Sequence, residues 1–244
     1  MGALNRCLIR MLLSTALACI APVAASAQIC EGVPSLRERP FAVGATYSRS
    51  DAGWAAGGAA TWGRSAFVSL ASGYVRYEDM AFSASRADAS SAVFHLGAGY
   101  EVQAQLAGGR GGRGGRGTTL GICPAGYVEY ETGPDGDFGV TLNSNGLTAA
   151  LGASIGAVVL ERGTIRLIPY VGMACARVST TVHDFPLAGT DTKDTEYGGL
   201  LDLGIGIVLG RVTIGPEATF PIGFEGADAS YGVGVSLSFG RGRR

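Results

Sequence analysis

The chain has 244 residues with 19 basic and 20 acidic side chains, and a net charge of −1 supplies no electrostatic reason to bind nucleic acid. Its mean hydropathy is mildly positive, it carries 40 glycines, and past the N-terminus no apolar run approaches the roughly 20 residues of a transmembrane helix. That excludes a helical membrane protein and leaves alternating strands closed into a barrel as the one route into a bilayer.

In chain order, Arg6 and Arg10 precede an apolar run from Met11 to Val23, which ends in the small-residue pattern Ala25-Ser26-Ala27. This predicts a secretory signal peptide over 1–27, the run being too short for an anchor helix. Ala16-Leu17-Ala18-Cys19 places leucine one position off the lipoprotein pattern. Cleavage after Ala27 would leave 244 − 27 = 217 residues, enough for one substantial domain. Without Arg6 and Arg10, 17 basic residues would face 20 acidic ones, a charge of −3. Cys30, Cys123 and Cys175 would remain, and export makes a disulfide permissible while the odd count leaves at least one thiol unpaired.

Residues 28–40, polar with two prolines, predict an extended leading segment. Phe41, Val43, Ala45 and Tyr47 then alternate with small or polar residues, a first strand. After the turn at Asp51-Ala52-Gly53, a second strand carries Trp54 and Trp62 on one face. Eight residues span roughly 26 Å along a strand, a spacing that suits one tryptophan at each membrane interface, in the aromatic girdle of a barrel. A third strand, about Ser65 to Glu78, alternates too weakly to assign its faces, and polar residues 79–90 predict a long loop. In the fourth, Ala92, Phe94, Leu96, Ala98, Tyr100 and Val102 oppose His95, Gly97, Gly99 and Glu101. A Gly-Gly-Arg tract over 108–117 predicts a flexible loop.

The fifth strand, Thr118 to Glu131, sets Leu120, Ile122, Val128 and Tyr130 against Cys123, Tyr127 and Glu129. A polar loop over 132–144 follows. Leu147, Leu151, Ile155 and Val159 oppose Thr148, Gly152, Ser154 and Gly156 in the sixth strand. Arg162-Gly163 turns the chain into the seventh, where Ile165, Leu167, Val171, Met173 and Cys175 oppose Arg166, Tyr170, Gly172 and Ala174. Residues 182–196 predict an acidic loop. In the eighth, Tyr197, Leu201, Leu203, Ile205, Ile207 and Leu209 face away from Gly198, Asp202, Gly204 and Gly206. Gly210-Arg211 turns it into a ninth strand bearing Ile214, Phe220 and Ile222 opposite Thr213, Glu217 and Thr219. The last strand has the cleanest period of two: Tyr231, Val233, Val235, Leu237 and Phe239 alternate with Gly232, Gly234, Ser236 and Ser238. A soluble sheet would place charged residues on its second face; here that face is small. A barrel in lipid needs this inversion.

The pattern predicts an all-β fold, a single antiparallel transmembrane barrel over 41–239 of about 10 strands, with 8 as the alternative, and a basic tail at 240–244. A secreted β-sandwich would expose whole faces of leucine and valine. The long polar connections fall after odd strands, apart from the Gly/Arg tract, as in barrels with long outer loops and short periplasmic turns. With its signal peptide and its Tyr231-to-Phe239 segment, the chain resembles the small outer-membrane β-barrel proteins of Gram-negative-type bacteria, the OmpA/OmpX/OmpW-like group. The resemblance implies the bacterial outer membrane as location, and periplasmic chaperones, the barrel-assembly machinery and outer-membrane lipid as partners. It makes Tyr231, Val233, Val235, Leu237 and Phe239 the assembly signal, although Gly240-Arg241-Gly242-Arg243-Arg244 follows the terminal aromatic.

With apolar faces outward, His95, Glu101, Glu129, Arg166, Asp202 and Glu217 line the lumen. Four carboxylates against one arginine predict a cation-favouring interior. Two states fit: a narrow passive pore for small solutes or ions, or a structural barrel plugged by its own polar groups. Cys30 in the leading segment and Cys123 on the lumen face are the candidate disulfide, with Cys175 left toward lipid. Long outer loops keep a surface adhesion or ligand-binding role open. A barrel-embedded hydrolase is the weakest alternative: His183-Asp184 with Asp135 and Asp137 match no barrel-protease spacing, and neither His95 nor His183 belongs to a sequence triad. No catalytic, metal-binding or cofactor motif is present, and the acidic loop does not align as an EF-hand.

Overall fold

A computed structural model of the protein describes residue 33 and residues 38–82, 85–106, 118–136, 143–183 and 192–240. The predicted signal peptide, most of the leading segment, the Gly/Arg tract and the tail beyond Gly240 lie outside the described residues. The chain forms β1 (Phe41–Ser50), β2 (Gly53–Gly63), β3 (Ala66–Phe82), β4 (Ser85–Tyr100), β5 (Val102–Gln105), β6 (Thr119–Gly136), β7 (Asn143–Val158), β8 (Leu160–Arg162), β9 (Ile165–His183), β10 (Thr192–Leu209), β11 (Val212–Ile222) and β12 (Ser230–Phe239). No helix of the described residues is long and apolar enough to cross a membrane, which says nothing of strands.

All twelve segments belong to one antiparallel sheet. Two are continuations. β5 carries β4 onward along β6, with Gly99 opposite Ala125 and Val102 opposite Ile122 in one register. β8 carries β7 onward along β9 with a one-residue slip, since Gly156 faces Tyr170 but Leu160 faces Leu167. Ten staves remain, and β12 pairs β1 along its length from Phe41 opposite Phe239 to Arg49 opposite Tyr231. The sheet therefore closes and has no free lateral edge. Both ends of the barrel domain sit at one rim.

Local chemistry explains the reversals. Gly163 and Gly210 open two-residue turns, Arg162 pairing Ile165 and Leu209 pairing Val212, at φ of 62° and 64°. That left-handed conformation is where glycine costs least, and its twist matches the flanking strands.

Three of the expected loops are shorter than the sequence predicts. The polar stretch 79–90 is a strand hairpin, with Met80 opposite Ala87 and Phe82 opposite Ser85, interrupted by a bulge at which Asp79 takes φ of 54°. Likewise β6 runs to Gly136 and β7 starts at Asn143, while β9 reaches His183 and β10 starts at Thr192. Polar composition reads as loop, but along these stretches the backbone pairs.

The polarity of the barrel is inside-out. Ala42, Ser48, Thr61, Ser69, His95, Glu129, Thr148, Thr213, Ser236 and Ser238 are buried on the inner face, and Leu151, Trp62 and Tyr231 are 72%, 68% and 61% exposed on the outer. The aromatics gather at two levels. Near the loop rim Trp54 lies against Tyr47 and Tyr74, ring centroids 6.2 and 5.8 Å apart, and Arg177 sits 6.0 Å above the Tyr197 ring. At the terminal rim Phe41 meets Phe239 at 5.9 Å, with Trp62 paired to Phe41. Valine, leucine, isoleucine and alanine dominate the band between, with Met173 and Cys175 beside Ala153 and Leu151. This is a closed barrel of the outer-membrane type in architecture.

Candidate functional site

The inner face has three layers. Toward the loop rim, Ala55, Val75, Tyr77, Ala89, Val93 and Val182 form one buried cluster. Its members come from β2, β3, β4 and the distant β9, so they meet across the lumen. At the terminal rim Val33 of the leading segment packs with Ala42 and Phe67, and Ile168 with Val208. Apolar inward residues such as Phe67, Val75 and Tyr77 are also why β3 alternates poorly in sequence.

Between these layers the wall is small, and a cavity of about 130 Å³ remains, bordered by Phe67, Ser69, His95, Tyr127, Ser154, Tyr170, Asp202 and Glu217 among others. Glycine makes that room and also lets rings lie flat on the wall: a Cβ at Gly204 would run into the Tyr170 ring, and one at Gly99 into Phe67. Tyr170 donates its hydroxyl to Glu217 Oε2 at 3.1 Å, and Thr219 donates to Asp202 Oδ1 at 2.7 Å.

His95 and Glu129, directly opposite on β4 and β6, place Nδ1 and Oε2 3.6 Å apart, each side chain 4% exposed. Neither of these two atoms has a hydrogen-bond partner. The imidazole also stacks on Tyr127, centroids 4.8 Å apart. A buried carboxylate needs such a neighbour to be tolerable.

All six polar residues assigned to the lumen by alternation face inward, but the structure divides them. His95 and Glu129 pair; His95, Asp202 and Glu217 share the cavity. Glu101 is fully buried near the terminal rim, where Gln103 Nε2 donates to it at 3.1 Å. Arg166 lies at that rim too, held by Glu38 at 2.8 Å and Glu161 at 3.4 Å. It is not the counter-ion of the central carboxylates.

Tyr77 and Glu131 escaped the sequence reading. The Tyr77 hydroxyl donates to Glu131 Oε1 in the buried layer toward the loop rim. Alternation from Glu129 carries the signal for Glu131; nothing in the sequence marks Tyr77 as inward. Among the described residues no three His, Cys, Asp or Glu side chains converge to hold a metal ion. Cys123 is fully buried and disulfide-bonded, its partner outside the described residues, and Cys175 is a free, exposed thiol. His183 meets Asn145 at 2.8 Å; Asp137 and Asp184 lie outside the described residues.

No family model matches the chain, and no curated protein is similar to it. Among solved structures, the N-terminal β-barrel domain of Pseudomonas aeruginosa OprF aligns over 83% of this chain and 99% of that domain, at 14% identity and a TM-score of 0.33. A superposition that loose transfers neither a residue nor a role, and the barrel architecture rests on the closure of its own sheet.

Proposed function

We propose that the protein is an integral outer-membrane β-barrel with a structural role, its lumen holding a closed chamber in place of an open channel. The observation that carries this is the outer surface: an apolar band between two aromatic levels runs round a barrel with no edge. In water such a surface would aggregate; in a bilayer it matches the hydrocarbon. Export by the signal peptide, escort by periplasmic chaperones and delivery to the barrel-assembly machinery through Tyr231 to Phe239 complete the reading, and no catalytic step is assigned to the barrel.

The apolar layers at both ends favour the structural role over a passive pore. A pore would require the Val75, Tyr77, Val93 and Val182 layer to part, and would then favour cations, because the chamber beneath presents Asp202 and Glu217. Planar-bilayer recording separates the two. The structural reading expects no conductance steps above the leak in molar salt; stepwise, cation-selective openings would replace it with the pore.

A further inference from the structure

The chamber is bordered by two kinds of group. Aromatic rings are one: Phe67 over Gly99, Tyr170 over Gly204, and Tyr127 stacked on His95. Carboxylates are the other, and Tyr170 hydrogen-bonds one of them, Glu217. Asp202 Oδ1 is taken by Thr219, but Oδ2 lies beside the bare wall of Gly172, 3.6 Å from where a Cβ would stand. Ser154, buried at 9% exposure and on the other flank of Gly172, has an Oγ with no hydrogen-bond partner. No lysine or arginine is among the described residues that line the cavity.

Ring faces attract cations electrostatically, and a carboxylate in a partly desolvated site does so more strongly. A strongly hydrated metal ion is a poor match, since the wall is largely apolar and no three ligands converge among the described residues. A cation that brings its own apolar bulk suits both kinds of group. An apolar cavity of about 150 Å³ takes a benzene-sized guest, so a cavity of about 130 Å³ has room for a methylated ammonium head. We propose that the chamber binds a small organic ammonium ion, caged by Phe67, Tyr127 and Tyr170 with Asp202 and Glu217 as counter-charges. The inference needs the closed barrel and is independent of the membrane reading.

The test is equilibrium dialysis of the full chain, refolded in detergent, against labelled choline present from the start of refolding so that the chamber fills as the barrel closes. Its neutral isostere, 3,3-dimethylbutan-1-ol, and sodium chloride serve as competitors. One saturable site per chain is expected, displaced by neither competitor. Asp202→Asn weakens binding by about tenfold or more, the scale of one desolvated charge contact. Gly172→Ala keeps the fold, because the new methyl meets its neighbours at ordinary distances of 3.4 to 3.6 Å, yet occupies the space beside Asp202 and lowers affinity. The compact, heat-modifiable gel band shows in each case that the barrel has formed. A folded wild-type barrel without saturable binding overturns the proposal, as does equal binding of the isostere or wild-type affinity in both variants.

Discussion

Leu151→Arg distinguishes a lipid-facing wall from a water-facing one. Leu151 is 72% exposed on β7, one outward position from the middle of the apolar run Leu147 to Val159, and its neighbours across the sheet are Gly126 and Cys175. No side chain covers it, so if that surface met water, arginine would change stability by at most about 0.5 kcal/mol. At the middle of a bilayer the same substitution costs about 2–4 kcal/mol, falling to about 0–1 kcal/mol near the interfaces. The folded-to-unfolded ratio should therefore drop about 30- to 900-fold for Leu151→Arg and by less than about tenfold for Tyr197→Arg, placed by the aromatic level near the loop rim. The assay is reversible guanidinium unfolding in phospholipid vesicles, followed by tryptophan fluorescence from Trp54 and Trp62. Equal, near-neutral effects at both positions would refute the membrane reading, because nothing else about Leu151 makes it costly to change.

Further consequences concern the inner wall. Gly152→Ala should destabilise the barrel by about 1–3 kcal/mol, since its Cβ would enter the backbone of Met173 and Ala174; Gly172→Ala, with only ordinary contacts, is the near-neutral control, and denaturation midpoints compare them. Tyr77→Phe leaves the buried Glu131 Oε1 without its donor and should cost about 1–3 kcal/mol, measured the same way; no change would mean that water or another group takes the hydroxyl's place. Thiol mapping of the folded, unreduced protein in detergent by mass spectrometry should find Cys175 labelled by an uncharged maleimide and Cys123 unlabelled until reduction. Labelling of Cys123 without reductant would contradict its oxidised state.

Alternation finds faces where the two sides of a strand differ in chemistry. In β1, β4, β7, β10 and β12 one side is apolar and the other glycine, serine or threonine, so the period of two is legible and the faces match. In β3 it blurs. Phe67, Val75 and Tyr77 turn inward, and both sides of the strand become apolar. The same limit applies to length: the stretch from Glu78 to Ser90 is rich in polar residues, and polarity alone reads as loop, yet its backbone pairs as a hairpin.

Height along the barrel is the quantity that alternation never supplies. Parity placed Glu101, Glu129, Arg166, Asp202 and Glu217 on one inner face, and on that basis one arginine appeared to answer four carboxylates. The pairing register separates them: Arg166 faces Val208 and Glu161 near the terminal turns, whereas Asp202 faces Gly172 and Thr219, and Glu217 faces Gly204 and Gly232. Coulomb attraction falls with distance, and Arg166 is engaged by Glu38 and Glu161 at its own level. The charge balance of a lumen must therefore be drawn level by level. Drawn that way, the chamber has Asp202 and Glu217 beside aromatic rings with no lysine or arginine among its described lining, and that local asymmetry, invisible in a near-neutral chain, is what selects an organic cation over an anion or a neutral solute.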